Sequence, residues 1–294
     1  WHIVVAAALE GAAFSLMDPA LSTIPSELVD REALLSAMSL AAIVESLMGI
    51  VSAAGAGMLI ESSGPLGVYV GMGLLFVFAA YTHWRLPKGV ASAANRGSLT
   101  GDLLAGLRYL RVSPILIVLL GLAFARELFW QPYHSFLPAF ASDNLHLGAS
   151  GLGLLTSVGS VGMLVSSVLM ASLGDVRRKG WLISILGAAA GLAVIALLSV
   201  RAMPAPFFLA ALAAGLGATA DVTTRTLLQT QCDANYRARV SGVMMTLHGV
   251  VSLSALPAGA LADRFGVPIV VGGLAALVIA AHLLTLARRD LRAL

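Results

Sequence analysis

Long apolar stretches, separated by short polar clusters, run along almost the whole chain. About 20 consecutive apolar residues cross a hydrocarbon core of roughly 30 Å, and only helices or closed barrels satisfy the backbone there. The stretches are longer than barrel strands and do not alternate between apolar and polar positions, so they predict transmembrane helices. Glycine, proline and polar residues at 62–65, 142–144, 203–206 and 265–268 mark several of the breaks. We predict nine spans, at 1–24, 33–60, 65–86, 114–140, 150–173, 181–200, 205–230, 239–262 and 267–287.

Composition excludes several other classes of protein. Of 294 residues, 59% are hydrophobic and only 11% charged, against about 25% charged in soluble domains. The single cysteine, Cys232, excludes a disulfide framework and a cysteine-built zinc site. A net charge of +3 is too small to indicate a nucleic-acid surface. These features predict an all-α, polytopic membrane protein.

The basic residues give an independent test of the span count. On one side of the membrane lie fourteen of them: Arg31, Arg85, Lys88, Arg96, Arg108, Arg111, Arg177, Arg178, Lys179, Arg237, Arg239, Arg288, Arg289 and Arg292. Only Arg201 and Arg264 fall on the other side. The positive-inside rule places the larger set in the cytosol. The predicted topology therefore puts Trp1 outside and Leu294 inside the cell (inner or plasma) membrane.

The longest connection contains a short predicted helix. In the linker 88–113, Leu99, Leu103, Leu107 and Leu110 fall on one helical face, and Pro114 follows. This pattern is typical of an amphipathic helix on the cytosolic surface. A solvated linker with chance leucines is the alternative.

A weak internal repeat relates the two ends of the chain. A shift of 207 residues aligns Thr23 with Thr230 and Leu40 with Leu247; after a short gap, Gly57 meets Gly259 and Gly64 meets Gly266. The shift equals six predicted spans, and many transporters consist of two such halves. The chain, which begins at Trp1 directly in an apolar run, is expected to be a fragment lacking about three preceding spans, and not to transport alone.

Five segments follow one another along the chain in a characteristic order. They are Phe14-x-x-x-x-Pro19-Ala20 with Ile24-Pro25-Ser26-Glu27-Leu28-Val29; Gly101 to Leu110; Gly148 to Leu155; Gly174-Asp175-Val176-Arg177-Arg178-Lys179-Gly180; and Leu228-Gln229 with Tyr236 to Gly242. Together these segments resemble the major facilitator superfamily and its bacterial drug, macrolide and siderophore exporter branch.

The resemblance implies a two-bundle fold with an incomplete first bundle. Residues 1–87 would be the remnant of the N-terminal bundle, 88–113 the cytosolic linker and 114–294 the C-terminal six-helix bundle. It also implies proton-coupled efflux of amphipathic small molecules such as drugs or siderophores, by a transporter that is monomeric when complete. An uptake permease and a non-transporting truncated product remain alternatives. Antiport is less firmly indicated than membership of the exporter branch, because 49–57 lacks the proline that drug/proton antiporters carry there.

No motif indicates nucleotide-driven or enzymatic chemistry. The sequence contains no phosphate-binding glycine loop ending in Gly-Lys-Ser/Thr, and its six histidines are scattered singly. We therefore expect no cofactor, nucleotide, nucleic acid or metal. The expected partners are membrane lipid, a small-molecule substrate and a proton gradient, and a membrane-embedded enzyme is disfavoured.

Charged residues inside the predicted spans are the candidate functional residues. Each costs about 2.5–3.5 kcal/mol at the centre of a bilayer on insertion scales, so each needs a partner or a purpose. The seven are Glu10, Asp18, Glu45, Arg126, Glu127, Asp221 and Arg225. All but Glu45 lie on spans one, four and seven, which the resemblance assigns to the central cavity.

Position along the spans suggests a role for each charge. Glu10 and Glu127, halfway along their spans, are the candidates for proton coupling, with Arg126 as a resetting cation. Asp221 and Arg225 are four residues apart and are able to neutralise each other. Arg126 and Glu127 point about 100° apart on a helix, so we expect each to find a different partner. Asp18 fits a role beside Pro19, and Glu45 fits either a tie between helices or titration.

The loop between spans five and six is a predicted cytosolic gate. Its residues are Gly174, Asp175, Arg177, Arg178 and Lys179, and the resemblance implies that they help to close the cytosolic side. Asp175 is expected near the start of span two, at 34–37, where free N–H groups attract a carboxylate. The alternative is that these basic residues only determine topology.

Overall fold

A computed structural model of the chain describes residues 1, 5, 9, 31–85, 99–111, 113–173, 178–233, 236–252 and 254–288. Every regular element within these ranges is an α-helix. The elements are α1 Arg31–Trp84, α2 Leu99–Leu110, α3 Pro114–Asp143, α4 Ala149–Leu173, α5 Lys179–Ser199, α6 Ala205–Gln231, α7 Arg237–Ser252, α8 Ala255–Phe265 and α9 Val267–Leu286.

Six stretches in the described part of the chain are long and apolar enough to cross a membrane. They are Leu47–Thr82, Pro114–Asp143, Ala149–Met170, Lys179–Ser199, Ala205–Leu228 and Val267–Leu286. The last five match five of the predicted spans. Predicted span 1–24 lies outside the described residues, apart from Trp1, Val5 and Leu9.

The remaining predicted spans are organised differently from the expectation. The predicted spans 33–60 and 65–86 form the single helical run α1, in which only Gly64 leaves helical geometry. The predicted span 239–262 is divided into α7 and α8. Pro257 lies in the first turn of α8, where a proline is tolerated because the N–H groups of that turn have no partner within the helix.

Two glycines that the repeat aligned adopt similar backbone conformations. Gly64 has φ 72° and ψ 179°, and Gly266, between α8 and α9, has φ 86° and ψ 147°. Both angles lie in a region that is essentially restricted to glycine. A proline follows within two residues in each case, at Pro65 and Pro268. This agreement supports the weak repeat seen in the sequence.

Small residues bring the helices close together. A Cβ on Gly153 of α4 would lie 2.5 Å from the Ala53 carbonyl oxygen of α1, and one on Gly57 would lie 2.6 Å from the Ala149 carbonyl oxygen. The Ser157 hydroxyl also donates to the Ile50 carbonyl at 2.7 Å. The small residues Gly49, Ala53 and Gly57 thus lie on the surface of α1 that meets α4.

Helices α3 to α9 form the main body. α6 packs against α4 and α5, and α9 packs against α5 and α3. Gly187 and Gly191 of α5 lie against the side chains of His282 and Ile279 of α9. Within the predicted linker 88–113, the structure describes the helix α2, which packs against α7.

Candidate charge cluster between α3 and α6

Two neighbouring helices bring four charged side chains into one cluster. Arg126 and Glu127 lie midway along α3, and Asp221 and Arg225 lie one turn apart in the second half of α6. The two helices pack against each other. We call these four residues the charge cluster.

Each member of the charge cluster contacts both members of opposite charge. An Arg126 terminal nitrogen lies 2.7 Å from Glu127 Oε1 and 3.1 Å from Asp221 Oδ1. Arg225 Nε lies 2.9 Å from Asp221 Oδ2, and a terminal nitrogen of Arg225 lies 3.4 Å from Glu127 Oε1. The result is a closed ring of four ion pairs.

The ring carries no net formal charge, because two guanidinium groups balance two carboxylates. Three of its side chains are largely buried, with exposed fractions of 9% for Glu127, 15% for Arg126 and 18% for Asp221. Arg225 is 47% exposed. The cluster is therefore sealed on the α3 side and accessible from the Arg225 side, which is where an ion or a substrate could reach it.

An aromatic row continues from the cluster along α3. The Arg126 guanidinium carbon lies 5.9 Å from the Trp130 ring centroid, a cation–π distance. Trp130 is in edge contact with the exposed His134 at 4.8 Å between centroids. Gly217 of α6 lies beside Trp130, and a Cβ there would be in ordinary contact with the indole at 3.5 Å.

One buried donor in the cluster has no partner in the described part of the protein. The Nε of Arg126 is buried and makes no hydrogen bond there, although the terminal nitrogen of the same guanidinium is fully engaged. A buried unsatisfied donor costs about 1–3 kcal/mol. This unpaired donor thus adds to the energetic cost of holding Arg126 in the ring.

The structure corrects one expectation and agrees with another. Arg126 and Glu127 do pair side by side, because the long guanidinium bends back across the 100° that separates the two positions. The expected i, i+4 pairing of Asp221 with Arg225 is present. Their assembly into a single ring with Arg126 and Glu127 depends on how α3 and α6 pack.

Most of the other candidate residues lie outside the described part of the chain. Glu10, Asp18, Gly174, Asp175 and Arg177 lie outside the described residues. Glu45 lies on α1, and its side chain is not described. Arg178 precedes α5 and is exposed, and Lys179 is the first residue of that helix.

Trp130 is the site residue that the sequence did not single out. The sequence contains a signal that points to Trp130: Arg126, Trp130 and His134 are spaced four residues apart and so share one face of a helix. Gln131 and Tyr133 lie off this face, and Tyr133 is buried in the apolar core.

The described residues contain no group of three or more histidine, cysteine, aspartate or glutamate side chains that could hold a metal ion. The described side chains between α3 and α6 therefore provide paired charges and aromatic faces. This combination suits reversible binding of protons or polar groups.

A bundle of apolar helices with a neutral charge ring at its centre is typical of a membrane transporter. Residues 1–255 match the family model described as "Major Facilitator Superfamily". The chain therefore belongs to the major facilitator superfamily, and it is a multi-pass membrane transporter; proteins of this family are transporters rather than enzymes.

Solved structures agree with this assignment at the level of the fold. Sixteen solved chains match, among them one described as "Structure of a bacterial metal transporter". It is 18% identical, with a TM-score of 0.58, and the match covers 88% of this chain and 67% of that one. No curated protein matches the sequence significantly.

Proposed function

We propose that this protein is a proton-coupled exporter of amphipathic small molecules, such as drugs or siderophores, that works by alternating access. The observation that carries the proposal is the neutral ring of Arg126, Glu127, Asp221 and Arg225 between two helices of the main body. A proton on either carboxylate changes the charge of the ring from zero to +1. It also weakens two ion pairs at once, so that proton binding and helix rearrangement become linked.

The surroundings of the ring favour an amphipathic substrate. Trp130, against the Arg126 guanidinium, and His134 present aromatic faces on α3. Aromatic rings bind apolar and cationic groups, while the partly exposed guanidinium of Arg225 offers hydrogen-bond donors. A molecule with an apolar body and one polar group satisfies both.

We further propose that α1 contains two of the nine predicted spans. At 1.5 Å per residue, the 36 residues of Leu47–Thr82 would extend about 54 Å, well beyond a hydrocarbon core of about 30 Å. The break at Gly64 divides the run, as Gly266 divides α8 from α9. The division into 1–87, 88–113 and 114–294, with Leu294 in the cytosol, rests on this count and on the basic residues.

Glu10, Asp18 and Glu45 are proposed members of the same pathway, with Glu10 opposing Glu127 across the cavity. Gly174, Asp175, Arg177, Arg178 and Lys179 are proposed as the cytosolic gate. Both proposals are supported by the positions of these residues in the sequence and by the resemblance of the surrounding segments to the family.

Uptake of a polar nutrient is the second candidate function, and one observation favours it. The Arg225 guanidinium is nearly half exposed, so it is able to contact a polar or anionic substrate directly. An exporter and an uptake permease differ in the direction of movement relative to the proton gradient, which is measurable.

The test is transport in everted membrane vesicles that contain the gene product carrying this sequence. An acid-inside gradient should drive accumulation of a lipophilic fluorescent cation such as ethidium, and a protonophore should stop it. Accumulation that does not respond to the gradient would overturn proton-coupled export. Uptake of a polar solute in right-side-out vesicles, without dye movement in everted ones, would favour the second candidate.

A further inference from the structure

Helix α2 has one face against the protein and one face that is uncovered. Gly106 is buried, and a Cβ there would lie 2.9 Å from the Arg239 carbonyl oxygen of α7. Leu110 is buried in a cluster with residues of α3, α6 and α7. These two contacts fix which side of α2 is turned toward the bundle.

The uncovered face combines leucine with arginine. Leu104 is 67% exposed and Leu107 is 42% exposed, while Arg108 and Arg111 are also exposed. At 100° per residue, all four fall within an arc of about 100°. Exposed leucines beside basic groups are typical of a helix at a membrane surface.

The two arginines have exposed guanidinium-bearing side chains. In the described part of the chain, no carboxylate is seen in a salt bridge with Arg108 or Arg111. The nearby carboxylate of Asp233 accepts a hydrogen bond from the Tyr109 hydroxyl at 3.1 Å. From α7, Arg239 lies over the Tyr236 ring, with its guanidinium carbon 5.5 Å from the ring centroid.

A cavity with a rigid wall adjoins this face. Its volume is about 740 Å³, and Leu104, Ala105, Leu107, Arg108, Tyr109, Arg111 and Tyr236 line it. The Tyr109 and Tyr236 rings are stacked 4.1 Å apart and 6° from parallel. The Tyr109 hydroxyl also accepts the Asp233 backbone N–H at 3.0 Å, so both tyrosines are held in place.

We propose that this cavity binds the headgroup of an anionic phospholipid. Arg108 and Arg111 pair with the phosphate oxygens, an interaction suited to the planar guanidinium, and Leu104 and Leu107 contact the apolar part of the same lipid. The exposed leucines favour a lipid over a soluble anion, because a soluble anion has no apolar part for them to contact. Pro114 begins the membrane-crossing α3 only three residues after Arg111, which places the cavity near the bilayer surface.

Competition between two lipids tests the proposal on the purified protein in detergent. Native mass spectrometry, with equal amounts of phosphatidylglycerol and phosphatidylcholine, should show preferential retention of phosphatidylglycerol. Arg108→Gln and Arg111→Gln should each weaken its binding about fivefold, leaving phosphatidylcholine unchanged. Arg201→Gln, which removes another exposed arginine in the α5–α6 connection, is the matched control and should have no effect. Leu104→Ser with Leu107→Ser should weaken phosphatidylglycerol binding although both arginines remain.

Three results would overturn the proposal. One is equal retention of the two lipids by the wild-type protein, and another is an unchanged preference in the double arginine variant with a wild-type unfolding temperature. The third is displacement of phosphatidylglycerol by inorganic phosphate together with no effect of the leucine substitutions, which would assign the cavity to a soluble anion.

Discussion

Each side chain of the charge cluster is held by two partners, and this determines how the site responds to substitution. A buried charge that loses one of two partners is still compensated in part. A charge that loses both is left unpaired in a region of low dielectric constant. The ring geometry thus makes the four residues energetically interdependent.

Substitution of Arg126 tests this interdependence. Arg126→Leu leaves Glu127 and Asp221 to share Arg225, and breaking a buried pair in this way typically costs about 3–5 kcal/mol. For Arg126→Leu we expect the free energy of unfolding, measured in detergent, to fall by an amount near the lower limit of this range. Arg126→Leu with Asp221→Leu restores neutrality and should cost clearly less than the two single losses added together. Strictly additive losses would show that the ring has no internal coupling.

Gly64 and Gly266 are predicted to be intolerant of any side chain. Their backbone angles cost a non-glycine residue about 1–3 kcal/mol, so Gly64→Ala and Gly266→Ala should each lower the free energy of unfolding by that amount. Gly71→Ala is the matched control, because Gly71 is helical and a Cβ there meets no atom within 4 Å. It should be neutral or slightly stabilising, and equal effects at all three glycines would refute the backbone explanation.

Sequence reasoning predicted the members of the site better than their arrangement. Arg126, Glu127, Asp221 and Arg225 were identifiable because charge is costly in a span. The Asp221–Arg225 pair followed from its spacing of four residues. Arg126 and Asp221 are 95 positions apart in the chain. Their contact therefore depends on the packing register of α3 and α6, which periodicity alone does not specify.

At the scale of elements, the close approach of α1 and α4 depends on the absence of side chains at two positions. Gly153→Ala places a methyl group against the Ala53 carbonyl, and such overpacking costs about 1–3 kcal/mol. We expect this loss in thermal unfolding, with Gly55→Ala as control, because a Cβ on Gly55 of α1 meets no atom within 4 Å. Equal tolerance of both substitutions would contradict the observed seam.

The docking of α2 on the α6–α7 turn is the second prediction at this scale. Tyr109→Phe removes the hydroxyl that contacts Asp233 twice, and we expect a loss of about 1 kcal/mol in local stability. Tyr109→Ala also removes the stack with Tyr236 and should lose a further 0.5–1.5 kcal/mol or so. Hydrogen exchange of the α2 amides measures both. Unchanged exchange in Tyr109→Ala would mean that α2 is held by Gly106 and Leu110 alone.

Element prediction succeeded where a single long apolar run lay between polar breaks. The predicted span 150–173 and the observed α4 Ala149–Leu173 differ by one residue at one end. It was less successful at 239–262, where one apolar run of continuous hydropathy forms the two helices α7 and α8. The predicted break at 62–65 coincides with Gly64, the residue of α1 that leaves helical geometry, because a glycine followed by proline interrupts a helix.

At the scale of the whole molecule, the described contacts of α1 with the other helices are concentrated on α4. The charge cluster lies elsewhere, between α3 and α6. Protonation that loosens the contact between α3 and α6 would reach α1 through α4, because α4 packs against both α6 and α1.

The most direct test of this account is gradient-driven transport by the Glu127→Gln variant of the gene product that carries this sequence. Glutamine preserves the size of the side chain but removes the exchangeable proton and the negative charge that both arginines contact. We predict that uphill dye transport in everted vesicles is abolished while dye binding remains detectable. Asp143→Asn, an exposed acidic residue at the end of the same helix, should transport like the wild type. Undiminished uphill transport by Glu127→Gln would contradict the assignment of the charge cluster as the coupling site.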